Sequence, residues 1–167
     1  MFKNRGVSMC QEELPYQIRW ADAEDWTPAM KMIWKTFLKF EGPVYTREGI
    51  RNFLDFITDK QLFESFLEGK YLMLVAVSGK KIIGAATLRD GNHLSLLFVD
   101  KAYHCNGVGR KLMDTMCEVL REESKETHIT LKSSPYAVGF YERIGFEATG
   151  PEEHYAGIRV TPMKKML

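Results

Sequence analysis

Apolar side chains recur along this chain with two different periods, and the switches between them mark out the secondary structure. Tyr16, Ile18 and Trp20 alternate with polar neighbours, the period-two pattern of a half-buried strand. Met30, Ile33, Trp34, Phe37 and Leu38 then recur at helical spacing, with Asp22 and Asp25 placed to cap the start and Gly42-Pro43 to end the run. Ile50, Phe53, Leu54 and Ile57 predict a second helix, and Leu62, Phe63, Phe66 and Leu67 a third that stops before Gly69. All three aromatic faces read as core.

Three strands are predicted next, over 71–77, 82–88 and 94–99, separated by the turns Ser78-Gly79-Lys80 and Asp90-Gly91-Asn92, which makes an antiparallel meander. A helix over about 107–123 puts Val108, Leu112, Met116, Val119 and Leu120 on one face. A strand over 128–131, a helix over 135–144 and a closing pair of strands from Gly145-Phe146 to near Val160 complete the order. Residues 1–14 show no period and read as a loose leader to one domain over 15–167.

Composition narrows the class. Apolar residues make up 45% and charged residues 27%, the balance of a packed globular domain rather than a disordered chain. Basic and acidic side chains number 23 and 22, so no bulk field favours nucleic acid or an anionic membrane. Cys10, Cys105 and Cys117 lack the spacing of a zinc site or a disulfide framework, so no metal is expected. With a polar N-terminus and no apolar run long enough to span a bilayer, the expected location is the cytoplasm.

The chemistry concentrates between the third meander strand and the helix after it. Gly107 and Gly109 open that helix, whose first turn carries unpartnered N–H groups and the positive end of the helix dipole. Glycine lets phosphate oxygens approach such amides closely, so a diphosphate fits there. Neither a Walker A loop nor a dinucleotide fingerprint matches, because the required Lys-Ser/Thr and third glycine are missing.

Taken with its flanks, the segment resembles motif A of the GCN5-related N-acetyltransferases (GNAT), written Val-x-Pro-x-Tyr-Arg/Gln-Gly-x-Gly-x-Gly/Ala. Val99, Tyr103, Gly107, Val108 and Gly109 match, while Lys101, His104 and Cys105 depart from the usual proline, arginine or glutamine, and glycine. Downstream, Phe140-Tyr141-Glu142-Arg143-Ile144-Gly145-Phe146 resembles motif B of the same family, one helix and one strand later. The resemblance implies a single-domain α/β (α+β) fold: a central mixed, mostly antiparallel, twisted sheet of six to seven strands flanked by helices.

It also implies an acetyl-CoA-dependent N-acetyltransferase that passes acetyl directly to an amine of a small molecule, peptide or protein. Acetyl-CoA, as cosubstrate, would be held by Phe98, Val99 and Asp100 where the strand opens. His104, Cys105, Asn106, Gly107, Val108, Gly109 and Arg110 would bind its diphosphate, with Ser134 and Phe140 also contributing. Tyr141 would protonate the departing thiolate. For the base that deprotonates the amine, His93 and Glu41 are rivals, and Glu41 has the alternative role of binding a cationic acceptor; His154 and ordered water are further options. A different class of function, a non-catalytic acyl-CoA sensor or regulatory module, is kept open by the departures at His104 and Cys105. A homodimer is possible through the aromatic helices or the last strand.

Overall fold

The structure is a computed structural model, and it describes residues 15–167. The leader assigned to 1–14 lies outside the described residues. Strands β1 (Gln17–Trp20), β2 (Leu72–Ser78), β3 (Lys81–Arg89) and β4 (His93–Val99) run antiparallel side by side. The sheet continues through β5 (His128–Ser133), β8 (Ile158–Met166) and β6 (Glu147–Ala148), with β7 (Glu153–Tyr155) hairpinned onto β8. Among the described strands, only β4 and β5 pair in parallel.

Alternation along β2 sends side chains to two layers. Leu74 and Ala76 pack with Val108, Leu112, Met116 and Leu120 of α4 (Val108–Glu122), while Met73 and Val75 pack with Trp26, Ile33 and Phe37 of α1 (Trp26–Phe40). Helices α2 (Arg47–Ile57) and α3 (Lys60–Leu67) join the α1 layer; α5 (Val138–Arg143) joins the α4 layer. Asp25, at the start of α1, takes two hydrogen bonds from Arg19 of β1, at 2.6 and 3.0 Å, which tie the edge strand to the first helix.

The feature that makes a site is a bulge in β4. Thr87 pairs with Leu96 but Leu88 with Leu94, so Ser95 is an extra residue without a partner on β3. A bulge bends its strand, and here it also reverses which side chains face which layer. Leu94 points into the α4 layer; Leu96 and Phe98 point into the α1 layer. The Tyr71 hydroxyl braces the kink, 2.7 Å from Thr87 Oγ1 and 3.1 Å from Ser95 Oγ. Pairing of β4 with β5 is confined to His93–Thr130 and Leu94–Leu131, and beyond the bulge the two strands part.

The expected mixed, mostly antiparallel sheet is present: among the described residues it runs through seven strands in one order, with β7 paired to β8 alone. The structure corrects two sequence-based expectations of the fold. The sheet's last long strand runs through Met166 instead of stopping near Val160; Pro162 reads as a strand breaker, yet its carbonyl accepts the Thr149 N–H at 2.9 Å. The segment Pro135-Tyr136-Ala137 is a turn, closed by the Ala137 N–H on the Ser134 carbonyl, and α5 starts only at Val138. No helix among the described residues is long and apolar enough to cross a membrane.

Candidate active site

Where β4 and β5 part, one edge of β4 is left open. The Asp100 N–H donates to the Ile83 carbonyl at 2.8 Å, so by strand alternation the amide of Phe98 also turns inward to β3. The polar groups of Leu97 and Val99 therefore face the gap. One of them is already engaged: His104 Nε2–H donates to the Val99 carbonyl at 2.6 Å.

Two clefts meet at this gap. The first, about 510 Å³, lies between the open edge, the 103–110 loop and α5. The second, about 480 Å³, lies between β4, β5, the α1–α2 region and the β7–β8 hairpin. Glu41, Leu97, Phe98, Ala137 and Tyr141 line both, so the gap is a passage from one face of the sheet to the other.

The floor of the first cleft is a chain of amides. Lys111 donates the first intrahelical bond of α4, to the Gly107 carbonyl at 3.0 Å, which leaves the amides of Val108, Gly109 and Arg110 without an acceptor inside the helix. Gly107 and, unusually, Cys105 have left-handed backbone (φ 74° and 62°), a geometry that turns successive N–H groups toward one side. An outer wall is aromatic: the Phe40 ring lies 4.8 Å from that of His104 and 5.3 Å from that of Tyr136.

Glu41 and Tyr141 both line the passage. Glu41 caps the end of α1, and its carboxylate accepts one hydrogen bond, from Ser134 Oγ at 3.0 Å. The residue is half-buried and lines both clefts, and burial of the carboxyl pushes its pKa up to about 7 against the opposing effect of Ser134. Tyr141 is 6% exposed, and its hydroxyl makes no hydrogen bond among the described residues. Burial first, and then the charge of Glu41, push the phenol well above its ordinary pKa. A carboxylate poised near neutrality beside a phenol that holds its proton is an acid–base pair with its two members tuned apart.

The other residues singled out from sequence are distributed less uniformly. Phe98, Val99, His104, Cys105, Gly107, Val108, Gly109, Arg110 and Phe140 line the first cleft. Asp100 does not: its amide is spent on Ile83, and its carboxylate binds the Ala102 N–H at 2.9 Å and Lys81 at 3.4 Å. Asn106 folds back to donate to the His104 carbonyl at 2.9 Å. Ser134 lines the second cleft, where it holds Glu41. His93 also lines the second cleft, at its far end, with Nδ1 2.8 Å from Thr130 Oγ1. Burial and the neighbouring Arg89 lower its pKa. His154 lies outside both clefts and pairs with Glu152 at 2.7 Å.

Among the lining residues that sequence reasoning missed are Leu97, Ala137, Arg89 and Lys132. Leu97 was recoverable in principle, since strand alternation puts its amide on the same edge as that of Val99. Arg89 and Lys132 carried no signal, because they belong to different strands and meet only in the folded sheet.

The residues 41–167 match the acetyltransferase (GNAT) domain family, well over half of the chain. The chain belongs to the GNAT family. Within it, the peptidyl-lysine N-acetyltransferase YjaB of Escherichia coli (strain K12) is 30% identical over 94 residues, a match spanning 56% of this chain and 61% of that protein. Two solved structures share the fold. A GCN5-related N-acetyltransferase from Rhodopseudomonas palustris superposes with a TM-score of 0.78 at 22% identity, covering 90% of this chain and 95% of that one. The PaiA N-acetyltransferase of Thermoplasma acidophilum, solved in complex with coenzyme A, gives 0.77 at 17% identity, covering 92% and 99%.

The GNAT assignment can be tested against the chemistry of the first cleft. A diphosphate needs clustered N–H donors, and the α4 N-terminus with its two left-handed residues offers them. A peptide-like pantetheine arm needs an unpaired strand edge, and Leu97 and Val99 offer one. The residues fit the group. Among the described residues, no cluster of His, Cys, Asp or Glu is placed to hold a metal ion.

Proposed function

We propose that this GNAT domain transfers an acetyl group from acetyl-CoA directly to a primary amine, in one ternary complex. The observation that carries the reading is the unpartnered hydroxyl of buried Tyr141 in the same passage as the raised-pKa carboxylate of Glu41. Acetyl-CoA supplies a thioester, an acyl donor with a thiolate leaving group. Amides of Val108 to Arg110 and the Leu97/Val99 edge would hold it, and the Val99 N–H would polarise the thioester carbonyl.

In this reading Glu41 is the base. Its carboxylate oxygen takes one proton from the incoming ammonium, and the freed nitrogen lone pair forms the new C–N bond; as the C–S bond breaks, the Tyr141 O–H gives its proton to the departing sulfur, and the second nitrogen proton, shed as the amide forms, restores the Tyr141 hydroxyl. A pKa near 7 suits proton removal at neutral pH. His93 is the weaker candidate. It lies four residues up β4 from Leu97, roughly 10–13 Å at about 3.3 Å per residue, too far to touch the same nitrogen.

One observation favours a second reading, an acyl-CoA sensor without turnover: His104 already engages the Val99 carbonyl at the open edge. Thiol release from acetyl-CoA, measured across a panel of primary amines, separates the two. Amine-dependent release is the expected result. Saturable coenzyme A binding with no release on any amine would overturn the transferase reading.

A further inference from the structure

The second cleft is polarised from end to end. Among the described residues, the charged side chains lining it are Glu41 at the inner end, by the passage, and Arg89 and Lys132 at the outer end. Between them the walls are aromatic: Phe37 stacks on Phe53 at 3.8 Å, and Tyr45 and Phe56 extend the same surface. An apolar cleft with a few charges at fixed places is the usual form of a small-molecule site, and a volume of about 480 Å³ lies in the range of such sites.

From Arg89, Lys132 and the aromatic walls we infer that the acceptor is an amine carrying a carboxylate at its opposite end, joined by an apolar spacer. The inference rests on the transferase reading for the amine end alone. The ammonium group sits at Glu41 and the carboxylate at Arg89 and Lys132. The two strands that supply these cations flank His93, which pairs with Arg89 across β3–β4 and with Thr130 across β4–β5.

The existing partners of the cations leave room for such a ligand. Arg89 Nη1 holds Asp90 at 3.1 Å, an exposed pair that leaves Nε and Nη2 for a forked contact. Lys132 Nζ is 3.2 Å from Glu153 and 5.3 Å from the centre of the Tyr155 ring, and its pair with Glu153 is also solvent-accessible. Exposed pairs of this kind contribute little and yield readily to a better-placed anion. Local charge agrees, since Arg89 acts on the His93 ring more strongly than Asp90 does and Lys132 adds to it.

Length sets the class more narrowly. Arg89 stands level with His93, four residues of β4 or roughly 10–13 Å from Leu97 at the passage, while Lys132 of β5 stands two residues, roughly 7 Å, from the Ser134 that holds Glu41. An α-amino acid, whose carboxylate is two bonds from its nitrogen, is too short to span from Glu41 to the level of Arg89. The ligand class is an ω-amino acid with an aliphatic or aromatic spacer, or the free carboxyl end of a very short peptide.

The test uses a matched pair, 4-(aminomethyl)phenylacetate and its neutral primary amide, with the full chain. Binding to the protein saturated with coenzyme A is measured by calorimetry, and thiol release from acetyl-CoA in parallel. The acid should bind roughly tenfold more tightly than the amide, the size of one good charge-assisted contact at a partly exposed site. Arg89→Gln should bring that ratio near one, and Arg89→Glu should invert it. Arg89 is exposed on the sheet surface, so both variants should fold, which the melting midpoint checks. Equal binding of acid and amide by the wild type would overturn the inference, as would an unchanged ratio in Arg89→Gln. A preserved tenfold preference without thiol release on either amine would sustain it and sink the transferase reading instead.

Discussion

Glu41 carries two opposed consequences. Its folded pKa of about 7 lies above the unfolded value of 4.5, so the folded chain holds this proton more tightly than the unfolded one. Its burial therefore costs nothing below about pH 4.5, and the cost grows until pH passes 7. Glu41→Gln removes a charge but keeps an acceptor for Ser134 Oγ. We expect it to stabilise the fold by roughly 1–3 kcal/mol at pH 8 and by almost nothing at pH 4.5, read from denaturant midpoints. The same variant should lose about 10²-fold or more in kcat, and with it the rise of kcat/KM through pH 7 expected of the wild type. A stabilised but slow enzyme separates a base from a merely structural carboxylate. Tyr141→Phe removes only a hydroxyl with no partner among the described residues, so folding should be unchanged within error while kcat falls about 10²–10⁴-fold. Retained turnover would sink the acid role of Tyr141. Cys105 is strained in a different way: its φ of 62° is left-handed and it has a Cβ to accommodate there. Cys105→Gly should raise stability by about 1 kcal/mol in thermal or chemical unfolding.

At the scale of elements, the site depends on two junctions. One is the bulge at Ser95, which ends the β4–β5 pairing and opens the edge that Leu97 and Val99 line. The other is the clasp between α2 and the β7–β8 hairpin, which borders the second cleft. The Thr46 N–H donates to the Gly157 carbonyl at 3.2 Å, and Asn52 Nδ2 to the Ala156 carbonyl at 3.0 Å. Gly49 and Gly157 approach so closely that a Cβ on Gly157 would collide with Thr46 Oγ1 and the Gly49 backbone, and φ at Gly157 is left-handed (77°) besides. Gly157→Ala should therefore cost about 1–3 kcal/mol. Hydrogen exchange should show the loss locally, at the first turn of α2 and the hairpin tip, with the β2–β4 meander still protected. Uniform loss of protection would argue against a local clasp.

Over the whole molecule, the passage lies between the two halves of the sheet, β1 to β4 on one side and β5 to β8 on the other, joined among the described residues by the β4–β5 pairing of just two residue pairs. A ligand held by both the β4 edge and the α4–α5 side should bridge them. Coenzyme A at about 100 times its Kd is expected to add about 2.7 kcal/mol, a rise in melting midpoint of about 5–10 °C for a domain of this size. No shift at saturating coenzyme A would contradict the fit of the first cleft. Much of this architecture was legible in the chain alone. The alternation in 71–99 and the helical spacing of Met30 to Leu38 set the meander and the first helix, because period and turn chemistry are local properties. The resemblance around Val99 to Gly109 and Phe140 to Phe146 named the family and pointed to Tyr141, with His93 and Glu41 left as rivals for the base. What the residues could not show was which backbone groups remain free. Asp100 lost its candidate role to a hydrogen bond with Ile83, and Leu97 came into view through a register shift at Ser95, both decided by pairing between strands. The meeting of Glu41 with Ser134, 93 residues away, and of Arg89 with Lys132 is likewise tertiary. Local periodicity determines which elements form; only their packing decides which charges share a cavity, and so the pKa of each and the shape of what can bind there.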